Sequence, residues 1–86
     1  MKQFSYVIKD ALGIHARPAG LLAKEAKACG TTVIKITKGA KTVKASQLMM
    51  LMSLAVKQGD EVTVTAEGPD EDAAIAKIEA FFKANL

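Results

Sequence analysis

Residues 61–67 read E-V-T-V-T-A-E, and no other stretch restricts the fold as much. Successive side chains of a strand point to opposite faces, so Val62, Val64 and Ala66 fall on one side and Thr63 and Thr65 on the other. A sheet built on this strand has one face that needs a core and one that tolerates water. Any helices must then cover the same side. The other strand signals agree. F-S-Y-V-I places Phe4, Tyr6 and Ile8 on one face, with Ser5 between the aromatics. T-T-V-I-K-I-T-K is β-branched and partly alternating, with Ile34 and Ile36 on one side. K-G-A-K then offers a turn and T-V-K-A a short return strand.

Helical signals fill the gaps. Asp10 to Gly13 reads as a turn. A helix is expected from Ala16 to Ala28, because Pro18 suits a first turn and Gly30 a stop. Its core stripe should be Ala19, Leu22, Ala26 and Cys29. A short helix is expected over S-Q-L-M-M-L-M-S-L-A-V, capped by Ser46, with Gln58-Gly59-Asp60 closing the region. Gly68-Pro69-Asp70 opens a last helix. Asp70, Glu71 and Asp72 fall in its first turn, where negative charge offsets the positive end of the dipole. Ile75, Ile78, Phe81 and Phe82 supply its apolar face. The order is β-α-β-β-α-β-α. Short connections favour antiparallel pairing. The expected fold class is therefore α+β: a four-stranded antiparallel sheet with three helices on one face, as one domain over residues 1–86.

Half of the 86 residues are apolar, enough for a modest core without metal or disulfide. The net charge, 12 − 9 = +3, is spread over interleaved acids and bases. Lys35, Lys38, Lys41 and Lys44 recur every third residue across the hairpin. No aromatic platforms interleave them, so they read as solvated strand surface and no nucleic-acid partner is expected. Cys29, the lone cysteine, allows a reducing compartment. No secretory or membrane-spanning run is visible, so a soluble cytoplasmic protein without membrane insertion is expected.

L-G-I-H-A-R-P-A, residues 12–19, holds the only histidine. A lone histidine is most often a surface or capping residue. One His and one Cys far apart make a poor metal site, and nothing resembles a nucleophile elbow. The surroundings argue for more. A helix starting just after His15 leaves the N–H groups of Ala16 and Arg17 among its unpaired donors, a ready site for phosphate. Pro18 gives up no N–H that would be missed. Arg17 adds a planar, fork-shaped donor for phosphate oxygens. Gly13 lets the chain turn sharply. A neutral imidazole is a nucleophile, and its ordinary pKa is about 6.5. A positive helix end and a guanidinium disfavour the charged ring, keeping a lone pair available at neutral pH. The same donors then hold the transferred dianion. The residues thus suit a phosphohistidine carrier with no cofactor and no metal: His15 and Arg17 in the reacting roles, Ala16 and Arg17 binding phosphate.

G-I-H-A-R-P-A, after a first strand and before a helix, resembles the active-site signature of the HPr family, the histidine-containing phosphocarriers of the bacterial sugar phosphotransferase system. The resemblance extends over essentially the whole chain, including M-S-L-A-V-K-Q-G-D and the acidic opening of the last helix. It implies an open-faced β-sandwich and a relay. Enzyme I, charged by phosphoenolpyruvate, phosphorylates the histidine, and the group passes to the A domains of sugar-specific enzymes II. His15 matches the phosphorylated residue, through Nδ1 in the family, and Arg17 the assisting arginine. Such a protein is a carrier rather than a turnover enzyme, and a monomer suits a shuttle.

The family also carries a regulatory serine at the start of the short helix, which implies an HPr kinase and a transcriptional regulator as further partners. Ser46 is the candidate. Counting back from Met52-Ser53-Leu54, however, the family position falls on Gln47, as though one residue were inserted between the first helix and the next strand. The preferred role for Ser46 is a helix N-cap, worth about 0.5–2 kcal/mol. L-M-M-L-M-S-L-A-V is apolar nearly all round, whereas a helix on a sheet buries one stripe. Leu51 and Leu54 should be core. Leu48, Met49 and Met52 should reach the surface as an adaptable partner patch, with Gly20 and Leu21 completing its rim. In the family this helix docks enzyme I and enzymes II. A regulatory effector on the same fold, acting through phosphorylation-dependent contacts, is the alternative; it needs neither His15 nor Arg17.

Overall fold

The computed structural model describes residues 1–14 and 16–86. Along the chain run β1 (Lys2–Val7), α1 (Ala16–Ala28), β2 (Val33–Lys38), β3 (Lys41–Lys44), α2 (Leu48–Ser53), β4 (Glu61–Glu67) and α3 (Glu71–Asn85). The strands form one antiparallel sheet in the order β1-β4-β2-β3.

Two rows of the register explain the layers. Phe4 pairs with Val64, Val64 with Ile36 and Ile36 with Val43, giving an apolar row on the helix side. The next row, Ser5, Thr63, Thr37 and Thr42, points the other way. Its hydroxyls pair across the strands, Ser5 with Thr63 at 3.3 Å and Thr37 with Thr42 at 2.8 Å. The alternation in β4 therefore sets the layer order, and the three helices cover the apolar side only.

The α1 helix has the expected bounds. Gly30, with φ +66°, turns the chain just beyond its end. Ala19, Leu22 and Ala26 are buried, joined by Ala23, while Cys29 is half-buried with its Sγ 3.4 Å from the Glu25 carbonyl oxygen. In α3, Ala74, Ile78 and Phe82 are buried and Ile75 and Phe81 half-buried. Asp70 is the N-cap residue, one position before the first turn that holds Glu71 and Asp72. The Phe82 ring meets Phe4 and Tyr6 with centroids 5.5 Å away and planes at 85° and 81°, the edge-to-face arrangement aromatic quadrupoles favour.

Two expectations about the short helix are corrected. Ser46 is not its N-cap. The chain leaves β3 through a turn closed by the Gln47 N–H to the Lys44 carbonyl, so Gln47 takes the N-cap position, without a side-chain bond to the helix. The helix also ends early, at Ser53, because Ala55 adopts a left-handed φ of +52° and the chain then turns inward to the buried Val56. No helix among the described residues is long and apolar enough to cross a membrane.

Candidate functional site

His15 lies outside the described residues, so the site is built from what flanks it. On the N-terminal side the Asp10 carboxylate accepts the Leu12 N–H at 2.8 Å, and the Asp10 carbonyl accepts the Gly13 N–H at 3.0 Å. Gly13 has φ +69° and is pressed against Val56 and Lys57, with a would-be Cβ only 2.7 Å from the Lys57 Cα. The N–H of buried Ile14 donates to the Val56 carbonyl at 3.1 Å. The loop leading to His15 is thus fastened to the segment leaving α2.

On the C-terminal side α1 starts at Ala16. Ala16 and Arg17 are exposed, while Pro18 and Ala19 are buried. The first turn contains no acidic residue, so nothing in it offsets the positive end of the helix, and Arg17 adds to it. This is a surface that favours an anion.

The α2 helix packs beside α1. Leu51 and Leu54 are buried at 0% and 5% exposure, whereas Leu48, Met49 and Met52 stand at 41%, 79% and 41%. Leu21 on α1 is exposed and Gly20 half-buried. Met50 is also exposed, which the sequence did not single out because an all-round apolar helix offers no stripe to read. Ser46 is half-buried and shares a cleft of about 250 Å³ with Lys27 and Lys44.

The hairpin lysines divide. Lys35 and Lys44 are paired across β2 and β3 on the open face, as solvated strand surface should be. Lys38 and Lys41 instead turn to the helix side and reach the end of α2. The Lys38 Nζ lies 2.9 Å from the Ala55 carbonyl oxygen and 3.1 Å from the Asp60 carboxylate. The Lys57 N–H, first, and the Lys38 ammonium hold the Asp60 carboxyl below the usual carboxylate range. Strand parity could have revealed this: Lys38 follows Ile34 and Ile36 at even spacing, and Lys41 precedes Val43 likewise.

The family model described as the PTS HPr component phosphorylation site matches residues 2–84. The chain belongs to the HPr family. The phosphocarrier protein HPr of Mycoplasma genitalium is 39% identical over 85 residues, covering 99% of this chain and 97% of that one. The crystal structure of HPr-C-His from Thermoanaerobacter tengcongensis matches with a TM-score of 0.90 at 38% identity, over 98% of this chain and 93% of that one. The HPr-like protein Crh of Bacillus subtilis is 41% identical over 94% of each chain. A structure of Crh, described as a swapped dimer, matches with a TM-score of 0.76 at 38% identity, over 100% of this chain and 98% of that one. The open-faced sandwich expected from the HPr resemblance is the observed fold, and the family is one of phosphocarriers.

Proposed function

We propose that the chain accepts a phosphoryl group on His15 from phosphorylated enzyme I and passes it to the A domains of sugar-specific enzymes II. The observation that supports this most is the exposed, acid-free Ala16-Arg17 start of α1, reached through the Gly13–Val56 clamp, in a chain of the HPr family. The neutral ring nitrogen donates its lone pair to phosphorus, and the bond to the donor breaks with its electron pair returning to the donor. The N–H groups of Ala16 and Arg17 and the Arg17 guanidinium hold the phosphoryl oxygens. A second transfer restores the neutral ring, so the protein is a carrier and not a turnover enzyme. Leu48, Met49 and Met52, with Gly20 and Leu21, form the docking surface, and the protein works as a cytoplasmic monomer.

Similarity to Crh favours a second reading: a regulatory effector, with an HPr kinase acting on Ser46 and a transcriptional regulator as partner. Incubation with enzyme I and labelled phosphoenolpyruvate separates the two. Acid-labile, base-stable label is expected on the wild type and not on His15→Ala. Label persisting on the variant overturns the first reading, and Ser46 left unmodified by HPr kinase and ATP overturns the second.

A further inference from the structure

We propose that Lys38 is a positioning residue for docking: it fixes the C-terminal end of α2 and thereby sets the pose in which Leu48, Met49 and Met52 meet the phosphoryl donor. The inference rests on the docking surface proposed above.

The α2 helix has six residues, no side-chain N-cap bond and no basic residue in its own last turn. Helices this short do not persist unaided. Its final carbonyls need partners, and each finds one. The Leu51 and Met52 carbonyls accept the N–H groups of Leu54 and Ala55, both at 3.2 Å. The Met50 carbonyl accepts the Ser53 hydroxyl at 2.7 Å. Ser53, Leu54 and Ala55 then depend on the hairpin. The Lys41 Nζ lies 3.4 Å from the Ser53 carbonyl oxygen and 3.1 Å from its hydroxyl. The Lys38 Nζ lies 3.3 Å from the Leu54 carbonyl oxygen and 2.9 Å from that of Ala55.

Lys38 differs from Lys41 in having a third contact, the Asp60 carboxylate at 3.1 Å. An ammonium has three protons, and these three acceptors use them all. One charge thereby joins the end of β2, the end of α2 and the residue before β4. It also sits against Ala55, whose φ of +52° an alanine keeps only when its surroundings hold it there. Docking through adaptable methionines depends on where their helix points, and that direction is set at this junction.

Lys38→Met keeps the apolar stem and removes the charge. In the purified protein, amide exchange over residues 48–55 should accelerate while β4 and α3 keep wild-type protection. In steady-state assays of enzyme I with this protein as the substrate, KM should rise on the order of five- to tenfold, the net weight of about one hydrogen bond, with kcat near the value for the wild-type protein. Lys35→Met, the same charge change on the open face, should alter neither. Unchanged exchange or unchanged KM in Lys38→Met overturns the proposal. So does protection lost evenly along the chain, or an equal KM rise in Lys35→Met. Met49→Glu, assayed alongside, tests the docking surface itself. If it leaves KM unchanged, that surface is wrong and the link from Lys38 to docking falls with it, whatever exchange reports.

Discussion

The backbone of Gly13 lies so close to the Val56 carbonyl that no side-chain atom fits between them. Gly13→Ala would meet both this contact and a φ of +69° that disfavours a Cβ. We expect a loss of about 2–4 kcal/mol, seen as a lower Tm. A wild-type melt would show that the loop relaxes freely.

Phe82 sits at the meeting point of α3 and β1, fully buried against Phe4 and Tyr6. Phe82→Ala should cost about 3–5 kcal/mol, measured by denaturant unfolding. A midpoint near wild type contradicts its place in the core.

The N-cap of α2 is Gln47, whose side chain makes no capping bond. Ser46→Ala should therefore change stability by less than about 0.5 kcal/mol, as at an ordinary surface position. Gln47→Asp should stabilise by about 1 kcal/mol, by accepting an unpaired helical N–H. Reversed signs in thermal melts would return the cap to Ser46.

Met49 is the most exposed apolar residue of α2. Met49→Glu should leave the circular dichroism spectrum and Tm unchanged and slow phosphoryl transfer from enzyme I about tenfold or more, the loss expected on charging an apolar contact. Rapid-quench transfer at the wild-type rate argues against docking there.

The Asp60 carboxylate accepts the Lys57 N–H at 2.8 Å and pairs with Lys38. Its folded pKa is lowered, so it lends stability above its unfolded value and loses it as pH falls through the folded one. Asp60→Asn should melt below wild type at neutral pH, with the gap closing below about pH 4. A gap that persists unchanged to strongly acidic pH rules this out.

What the sequence disclosed depended on how local each signal is. The bounds of α1 were legible because Pro18 and Gly30 act within a turn of their own positions. The one-sided sheet was legible because Thr63 and Thr65 alternate with Val62 and Val64. The order β1-β4-β2-β3 was not, since nothing in Phe4 names Val64 as its neighbour. Ser46 misled because its capping preference was outweighed by a turn that placed Gln47 at the helix start. The side Lys38 faces was legible from strand parity, but its partners, Leu54, Ala55 and Asp60, were not, being distant in the chain and mostly backbone oxygens. At the site, the Gly13 turn and the helix start at Ala16 were readable. The clamp of Gly13 on Val56 was not, because it joins two loops across the fold.

Pairing of positions 4 and 64 has a consequence for biogenesis. On the ribosome β1 emerges first yet gains its neighbour β4 only after most of the chain has been made. At about 5–20 residues per second, that is a wait of several seconds with Phe4 and Tyr6 uncovered. The hairpin of β2 and β3 needs no such delay. Cotranslational folding should therefore begin in the middle of the polypeptide and close on its leading strand last.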